Sequence, residues 1–423
     1  MNKTIYPFKY TGKLRANSSK SFAQRAFILA LLAKCETIIY NADDSKDVLA
    51  IQNCIRQLGA EIIVLGEGIK IIPPLRKKID SVTLNVGESG LALRMLGIVA
   101  TLFSSTIQLT GEGSILNRSQ KQLIEILEQL GFIVEHNNFK LPIQINGQVT
   151  NQNLVIDASQ GSQVISGILI TLPLLNKPSV IELVNITSRP YLEMTNEIMS
   201  YFGISISSIF DKVFSIQGNK SYKSTSYTIE GDWSGASNHL VGAAISGSVE
   251  LVGLNSKSKQ ADAIILSILK QFGAEVIINN STEGIEIISV YESKLKSPFT
   301  FDLTDAPDLF PILSILACAA KGKSTISGTN RLLNKESNRL EAIAELLNHF
   351  SVAFEIENNT ISIFGTGKII PIETIDTYND HRIAMAATIG ACISTRAIKL
   401  NGFECINKSY PYFFEDLSIQ FTN

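Results

Sequence analysis

Apolar residues return at helical spacing from Ser21 to Lys34, where Phe22, Ala26, Leu29, Ala30 and Ala33 fall on one face. The spacing predicts a helix capped by Ser19 or a neighbour. Further along, helical segments end in a Leu-Gly or Phe-Gly step and run straight into a β-branched strand, at Leu58-Gly59, Leu130-Gly131, Phe202-Gly203 and Phe272-Gly273. These glycines are 72, 72 and 70 residues apart, and Phe350-Ser351 is a fifth, degenerate copy. A period of that length means repeated supersecondary units. In each, a helix such as Ser119–Gln129 meets glycine at its C-cap, followed by a strand (Phe132–His136), a polar turn (Asn137, Asn138) and a second strand (Leu141–Ile145). Glycine suits the step because it leaves a helix in the left-handed conformation without steric penalty.

A sixth unit shows only in part: 397–400 reads as a strand and 411–420 as a helix. The strand it lacks is expected from Thr4–Tyr10, which would close one domain from both ends of the chain. Six units then make two domains of three, one from 14–226 and one from 1–13 with 227–423. The chain crosses between them near Gly12 and at the polar stretch Asn219–Ser226. The first helix follows the first crossing, so it is expected to face an interdomain cleft, where ligand sites concentrate.

Composition agrees with two domains and narrows the function. A chain of 423 residues exceeds one ordinary core, and 45% apolar residues suffice to build two. Basic and acidic residues nearly cancel, 37 against 39, which argues against a general nucleic-acid or membrane surface and leaves room for local basic pockets. Five cysteines, with no CxxC pair and no metal-ligand spacing to His, read as buried thiols in a reducing cytoplasm. No apolar run approaches the length of a membrane span, and the N-terminus carries no signal-like apolar core.

Candidate chemistry sits at helix starts. Ser18-Ser19-Lys20-Ser21 with Arg25 places two cations and several hydroxyls where backbone N–H groups are free, a ready anion site. Gly87 to Arg94 is a second such start, without the GxGxxG order of a dinucleotide loop. Arg118, Ser162-Gln163, Ser188-Arg189-Pro190-Tyr191, Asp308, Lys335-Glu336-Ser337-Asn338-Arg339, Asp380-His381-Arg382 and Lys408 follow in chain order. Taken singly, each also fits a bland reading: a solvated Arg118, a plain polar cap at Ser162, a Pro-initiated cap at Ser188, a capping Asp308, or a solvated charged face at Lys335–Arg339. Asp302, Asp305 and Asp308 do not read as a metal cage, because Pro307 and the apolar helix after Leu309 stiffen the segment. Nearly every unit nevertheless puts a cation near a helix start, an alignment that chance does not supply.

In this order the motifs resemble those of the 5-enolpyruvylshikimate-3-phosphate synthase (3-phosphoshikimate 1-carboxyvinyltransferase) family over almost the whole chain. Glu230-Gly231-Asp232 and Ala306-Pro307-Asp308 complete the set. The resemblance implies an α/β (α+β) protein of two similar domains, each an inside-out barrel of three βαβαββ units, with the active site in the cleft between them. It implies transfer of the enolpyruvyl group of phosphoenolpyruvate to the 5-hydroxyl of shikimate 3-phosphate in aromatic amino acid biosynthesis. No cofactor, metal, nucleic acid or membrane is implied, and a cytoplasmic monomer is expected. By position, Lys20, Ser21, Arg25, Ser162, Gln163, Ser188, Tyr191, Asp308 and Lys335 would hold shikimate 3-phosphate. Lys20, Gly90, Arg118, Gln163, Arg339, Arg382 and Lys408 would hold phosphoenolpyruvate. Small multivalent anions match Arg and Lys clusters in an otherwise neutral protein.

The chemistry needs a base for the hydroxyl and an acid for the enol methylene. Asp308 is the expected base and Glu336 the expected acid, kept ionised by Lys335 and Arg339 until substrate anions raise its proton affinity. The chain departs from the family pattern at Asn17-Ser18, Glu88, Leu91, Gly161 and Arg331. Three other readings remain. An enolpyruvyl transferase acting on UDP-N-acetylglucosamine usually carries a Cys before the arginine at position 118, and 111–117 has none. An RNA 3′-terminal phosphate cyclase would need a nucleophilic His, for which only His381 offers itself. A non-catalytic anion-binding protein is the third.

Overall fold

The structure, a computed structural model, describes residues 2–75, 79–209, 212–282, 284–296 and 299–418. They divide into two compact units, one of Ser18–Ile229 (the contiguous unit) and one of Met1–Asn17 with Glu230–Asn423 (the split unit).

Among the described residues six sheets carry the repeat, three in each unit, and five of them share one strand order. In one example Val82–Asn85 runs parallel to Thr106–Thr110, which is antiparallel to Lys140–Asn146, whose hairpin partner is Ile133–Asn137. The sixth sheet pairs Ile375–Asp376 parallel with Ile398–Asn401, and the latter antiparallel with Asn2–Ile5. The N-terminus therefore supplies the strand the last unit lacks, but only through Ile5, short of the expected Tyr10. Pro7 interrupts it, having no N–H to give to a ladder. Tyr10–Arg15 then forms a separate strand of another sheet.

The two crossing strands are exchanged. Tyr10–Arg15 precedes the helix Lys20–Leu32 in sequence, yet pairs parallel with Gly247–Val252 of the split unit. Ser226–Thr228 precedes the helix Trp233–Ser246, yet pairs parallel with Thr37–Tyr40 of the contiguous unit. Pairing persists to Arg15↔Val252 and Thr228↔Tyr40, so the units meet in sequence at 17/18 and 229/230 rather than at 13/14 and 226/227.

Each unit is an inside-out barrel, with helices in its core and sheets around them. Lys20–Leu32, Gly90–Val99 and Gln163–Thr171 are the inner helices of the contiguous unit, and Trp233–Ser246, Phe310–Ala319 and His381–Gly390 those of the split unit. Their bodies are apolar on nearly every side and buried accordingly, so each can only lie among other elements. Gly167 lets two of these helices approach closely: a Cβ there would stand 3.0 Å from both Cα and O of Met95. Outer helices such as Lys121–Leu130 are amphipathic and end at the repeated glycine step, Gly131 at φ 101° and the degenerate Ser351 at φ 56°. The expected helix 411–420 is observed as Phe413–Ser418, and Gln420 lies outside the described residues.

The split unit buries one polar chain in its core. Tyr10 Oη donates to His239 Nδ1, His239 Nε2 lies 2.9 Å from Tyr410 Oη, and Tyr410 Oη donates to Asp416 Oδ2 at 2.5 Å. Since Tyr410 gives its proton to Asp416, His239 is neutral with its proton on Nε2. Burial pushes the imidazole down to about 3. Between roughly pH 6.5 and 3 the unfolded chain binds a proton that the folded protein refuses, so this group alone lowers stability by about 1.4 kcal/mol per pH unit as pH falls through that window. His239→Gln, whose amide offers one acceptor and one donor, should flatten the acid limb of the stability profile in denaturant titrations from pH 7 to 4. An unchanged slope would remove His239 as its source.

Candidate active site

In the contiguous unit the sequence-predicted residues gather around two arginines. Ser19 caps the helix Lys20–Leu32 by accepting from Phe22 N, and Lys20 at its first turn pairs with Asp47 at 3.0 Å. Arg25, one turn on, is fully buried. Its Nη1 donates to Ser21 O at 2.9 Å, its Nε to Thr195 Oγ1 at 2.9 Å and its Nη2 to Ser166 Oγ at 3.1 Å. It thereby ties together three helices: Lys20–Leu32, the one that Ser162 and Gln163 begin, and the one that Ser188 begins and Tyr191 belongs to. Among the described residues its hydrogen bonds go to hydroxyls and a carbonyl, with no carboxylate in ion-pair range, and burial lowers its pKa to about 10. An uncompensated buried guanidinium is costly, and an anionic ligand would supply what the protein withholds.

Arg94 is the second tie, and it was absent from the predicted site. Its Nη1 donates to Gln163 Oε1 at 2.5 Å and its Nε to Gln120 Oε1 at 3.2 Å. Gly90 begins the inner helix capped by Ser89, and a Cβ on it would stand 3.2 Å from Arg94 Nη1 and 3.5 Å from Arg118 Nη1. Two guanidinium groups thus overhang a helix N-terminus whose glycine leaves the space open. Ser162 and Ser188 make no side-chain cap hydrogen bond, and Ser188 sits at φ 58°. Neither serves as an ordinary cap.

In the split unit charges of both signs interlock. Arg339, the first residue of the helix Arg339–His349, is fully buried. Its Nε and Nη2 grip Asp380 at 2.9 and 3.2 Å, its Nη1 reaches Asp308 Oδ1 at 2.8 Å, and its Nη2 reaches Glu336 Oε2 at 2.6 Å. A cation at a helix N-terminus opposes the dipole, so the helix does not gain from it. The solvated reading of Lys335–Arg339 fails because its carboxylate partners fold over it. Asp308 meets three cations: Arg339, Lys335 Nζ at 3.2 Å and Arg382 Nη2 at 2.9 Å. Burial alone would raise its pKa, but Arg382, Lys335 and Arg339 hold it well below the usual carboxylate range. Nor does Asp308 cap a helix, since it lies within the short turn Pro307–Leu309. Burial lowers the pKa of Lys335 even though Asp308 opposes the shift.

Asp380 caps the inner helix His381–Gly390, accepting from Arg382 N at 3.0 Å while it holds Arg339. Lys408 ends the turn Phe403–Lys408, which packs against that helix, and is buried. Asp262, also unpredicted, accepts from Ser234 Oγ, and burial with the nearby charge of Asp308 raises its carboxyl to about 6. No group of His, Cys, Asp and Glu among the described residues could hold a metal ion.

The family model described as EPSP synthase (3-phosphoshikimate 1-carboxyvinyltransferase) matches residues 7–417. The chain belongs to the EPSP synthase family. A 3-phosphoshikimate 1-carboxyvinyltransferase of Methanocorpusculum labreanum is 32% identical over 96% of this chain and 95% of its own length. One of Clostridium botulinum is 33% identical over 97% and 95%. A solved EPSP synthase from Acinetobacter baumannii covers 99% of this chain and 98% of its own with a TM-score of 0.81, and at 24% identity it speaks for the fold. The residues left without a role share one trait. Asp47 and Asp262, not singled out before, and Arg94 and Asp380, quoted only as members of their motifs, each stand at or within a turn or two of a helix start, the signal that picked out Lys20 and Arg382. Following acids as well as bases at those positions would have found the three aspartates.

Proposed function

We propose that this protein transfers the enolpyruvyl group of phosphoenolpyruvate to the 5-hydroxyl of shikimate 3-phosphate and releases phosphate, as a cofactor-independent cytoplasmic monomer. The observation that carries the reading is the family match over residues 7–417, which includes both charged clusters. Free thiols at all five cysteines suit a reducing compartment, and no helix among the described residues is long and apolar enough to cross a membrane.

Residues of both units are assigned to the same pair of substrates. Arg25, Ser21, Ser162, Ser188, Tyr191, Asp308 and Lys335 hold shikimate 3-phosphate; Gly90, Arg118, Arg339, Arg382 and Lys408 hold phosphoenolpyruvate; Lys20 and Gln163 meet both. Asp308 takes the proton of the 5-hydroxyl as its oxygen bonds to C2 of phosphoenolpyruvate, and Glu336 gives a proton to the methylene carbon. The product of this addition is a tetrahedral intermediate with a methyl group, a carboxylate and a phosphate on one carbon. Glu336 then retrieves a methyl proton while the C–O bond to phosphate breaks and the double bond returns, and the proton held by Asp308 leaves with the phosphate.

With three cations on it Asp308 is a poor base, because they hold its proton affinity down. Anionic substrates compete for those same cations. As Lys335, Arg339 and Arg382 turn toward phosphate and carboxylate oxygens, the pKa of Asp308 rises toward what proton abstraction needs. The base is thus switched on by the substrates it serves.

Phosphate release tests the activity. It should require shikimate 3-phosphate and phosphoenolpyruvate together and match the enolpyruvyl product mole for mole. Release with UDP-N-acetylglucosamine in place of shikimate 3-phosphate, or none with either acceptor, would overturn the reading.

A further inference from the structure

We propose that Glu88 is a positioning residue for phosphoenolpyruvate binding, acting through the Ser114 hydroxyl on the guanidinium of Arg118. The proposal rests on the assignment of Arg118 to phosphoenolpyruvate made above. Glu88 belongs to the loop leading into the inner helix Gly90–Val99, and Ser114 to the short turn Gly113–Asn117 that precedes Arg118. One Glu88 oxygen, Oε2, accepts from Ser114 N at 3.1 Å and from Ser114 Oγ at 3.0 Å. Arg118 Nη2 donates to that same Oγ at 3.0 Å.

The direction of these bonds carries the argument. A serine hydroxyl left to rotate offers a neighbour either its proton or a lone pair. Glu88, an acceptor only, takes the proton and leaves a lone pair for the arginine, which can only donate. The carboxylate therefore sets the polarity of the relay as well as its position. The two loops are strapped together at their bases by Glu112 N to Gly87 O at 2.8 Å and Asn85 Nδ2 to Glu112 Oε1 at 2.9 Å, while Gly87 N donates to Asn85 Oδ1 at 2.9 Å within the first loop. Gly113 makes room for the carboxylate, since a Cβ there would stand 2.5 Å from Glu88 Cδ. At φ 56° the same glycine also turns the chain so that Ser114 N faces the acid. Thus held, the guanidinium overhangs Gly90 at the helix N-terminus.

Steady-state kinetics with both substrates varied, on the full chain, test the relay. Glu88→Ala and Ser114→Ala should each raise KM for phosphoenolpyruvate about tenfold, with KM for shikimate 3-phosphate unchanged and kcat within about threefold. The double variant should be no worse than either single one, because the two residues act in series. Glu88→Gln retains an acceptor oxygen and should keep KM for phosphoenolpyruvate within about twofold of the parent. Additive losses, equal losses for both substrates, or an unchanged phosphoenolpyruvate KM in Glu88→Ala would overturn the proposal. Arg118→Lys separates the proposal from its premise: a large rise in phosphoenolpyruvate KM alongside a silent Glu88→Ala defeats the relay alone, whereas a silent Arg118→Lys defeats the assignment of Arg118 and the relay with it. If Glu88→Ala does not fold, Ser114→Ala and Glu88→Gln still decide the matter.

Discussion

Asp308→Asn should lower turnover by about 10²- to 10⁴-fold, the range expected when a general base is lost. Affinity for shikimate 3-phosphate should change little. The amide keeps the shape of the carboxylate and still accepts a hydrogen bond, but it cannot take the hydroxyl proton. Removing its charge also frees Lys335, Arg339 and Arg382 from a competitor, so the anionic substrates lose no attraction. Turnover by phosphate release and binding by calorimetry give the two halves of the result. Near-normal turnover would take Asp308 out of the mechanism, and a large loss of affinity would make it a binding residue instead.

Arg339→Met should destabilise the protein by about 3–5 kcal/mol and abolish detectable turnover, the cost known for removing one partner of a buried ion pair. Arg339 joins Asp308, Glu336 and Asp380, so its loss leaves three carboxylates without their shared cation. The pH dependence identifies the cause. Losing a buried cation raises the folded-state proton affinity of these carboxylates relative to the parent, so the variant should recover part of its deficit as pH falls toward 5. Arg339→Lys keeps the charge and loses the fork, and should fall between parent and Met variant. Denaturant unfolding at pH 7.5 and 5.5 measures both effects. A loss below about 1 kcal/mol at pH 7.5 would mean that the three acids find other partners.

The repeat was legible because its mark is local. A helix that turns directly into a strand needs a left-handed residue, and Gly59, Gly131, Gly203 and Gly273 record it one unit after another. The exchange of crossing strands left no such mark, since the parallel pairing of 10–15 with 247–252 depends on residues far apart in the chain. The site divided in the same way. Lys20, Arg25 and Arg382 showed themselves by standing at helix starts. Lys335–Arg339 read as a solvated face from its own residues because the acids that bury Arg339, Asp308 and Asp380, lie 31 and 41 residues away. Arg94 was passed over as the end of a glycine loop, and only its bonds to Gln120 and Gln163 reveal what it ties together.

The exchanged strands also set a timetable for synthesis. The contiguous unit has every strand of its sheets once Ile229 has left the ribosome, because Ser226–Thr228 completes the first of them. The opening residues must wait longer. Tyr10–Arg15 has no strand partner in its ladder until Gly247–Val252 is made, and Asn2–Ile5 none until Ile398–Asn401 is made. At about 5–20 residues per second, these two unpaired strands trail from the nascent chain for tens of seconds. Tyr6, Pro7, Phe8 and Lys9 between them then suit the wait, since a proline and a lysine beside two aromatics discourage early pairing with a neighbouring chain.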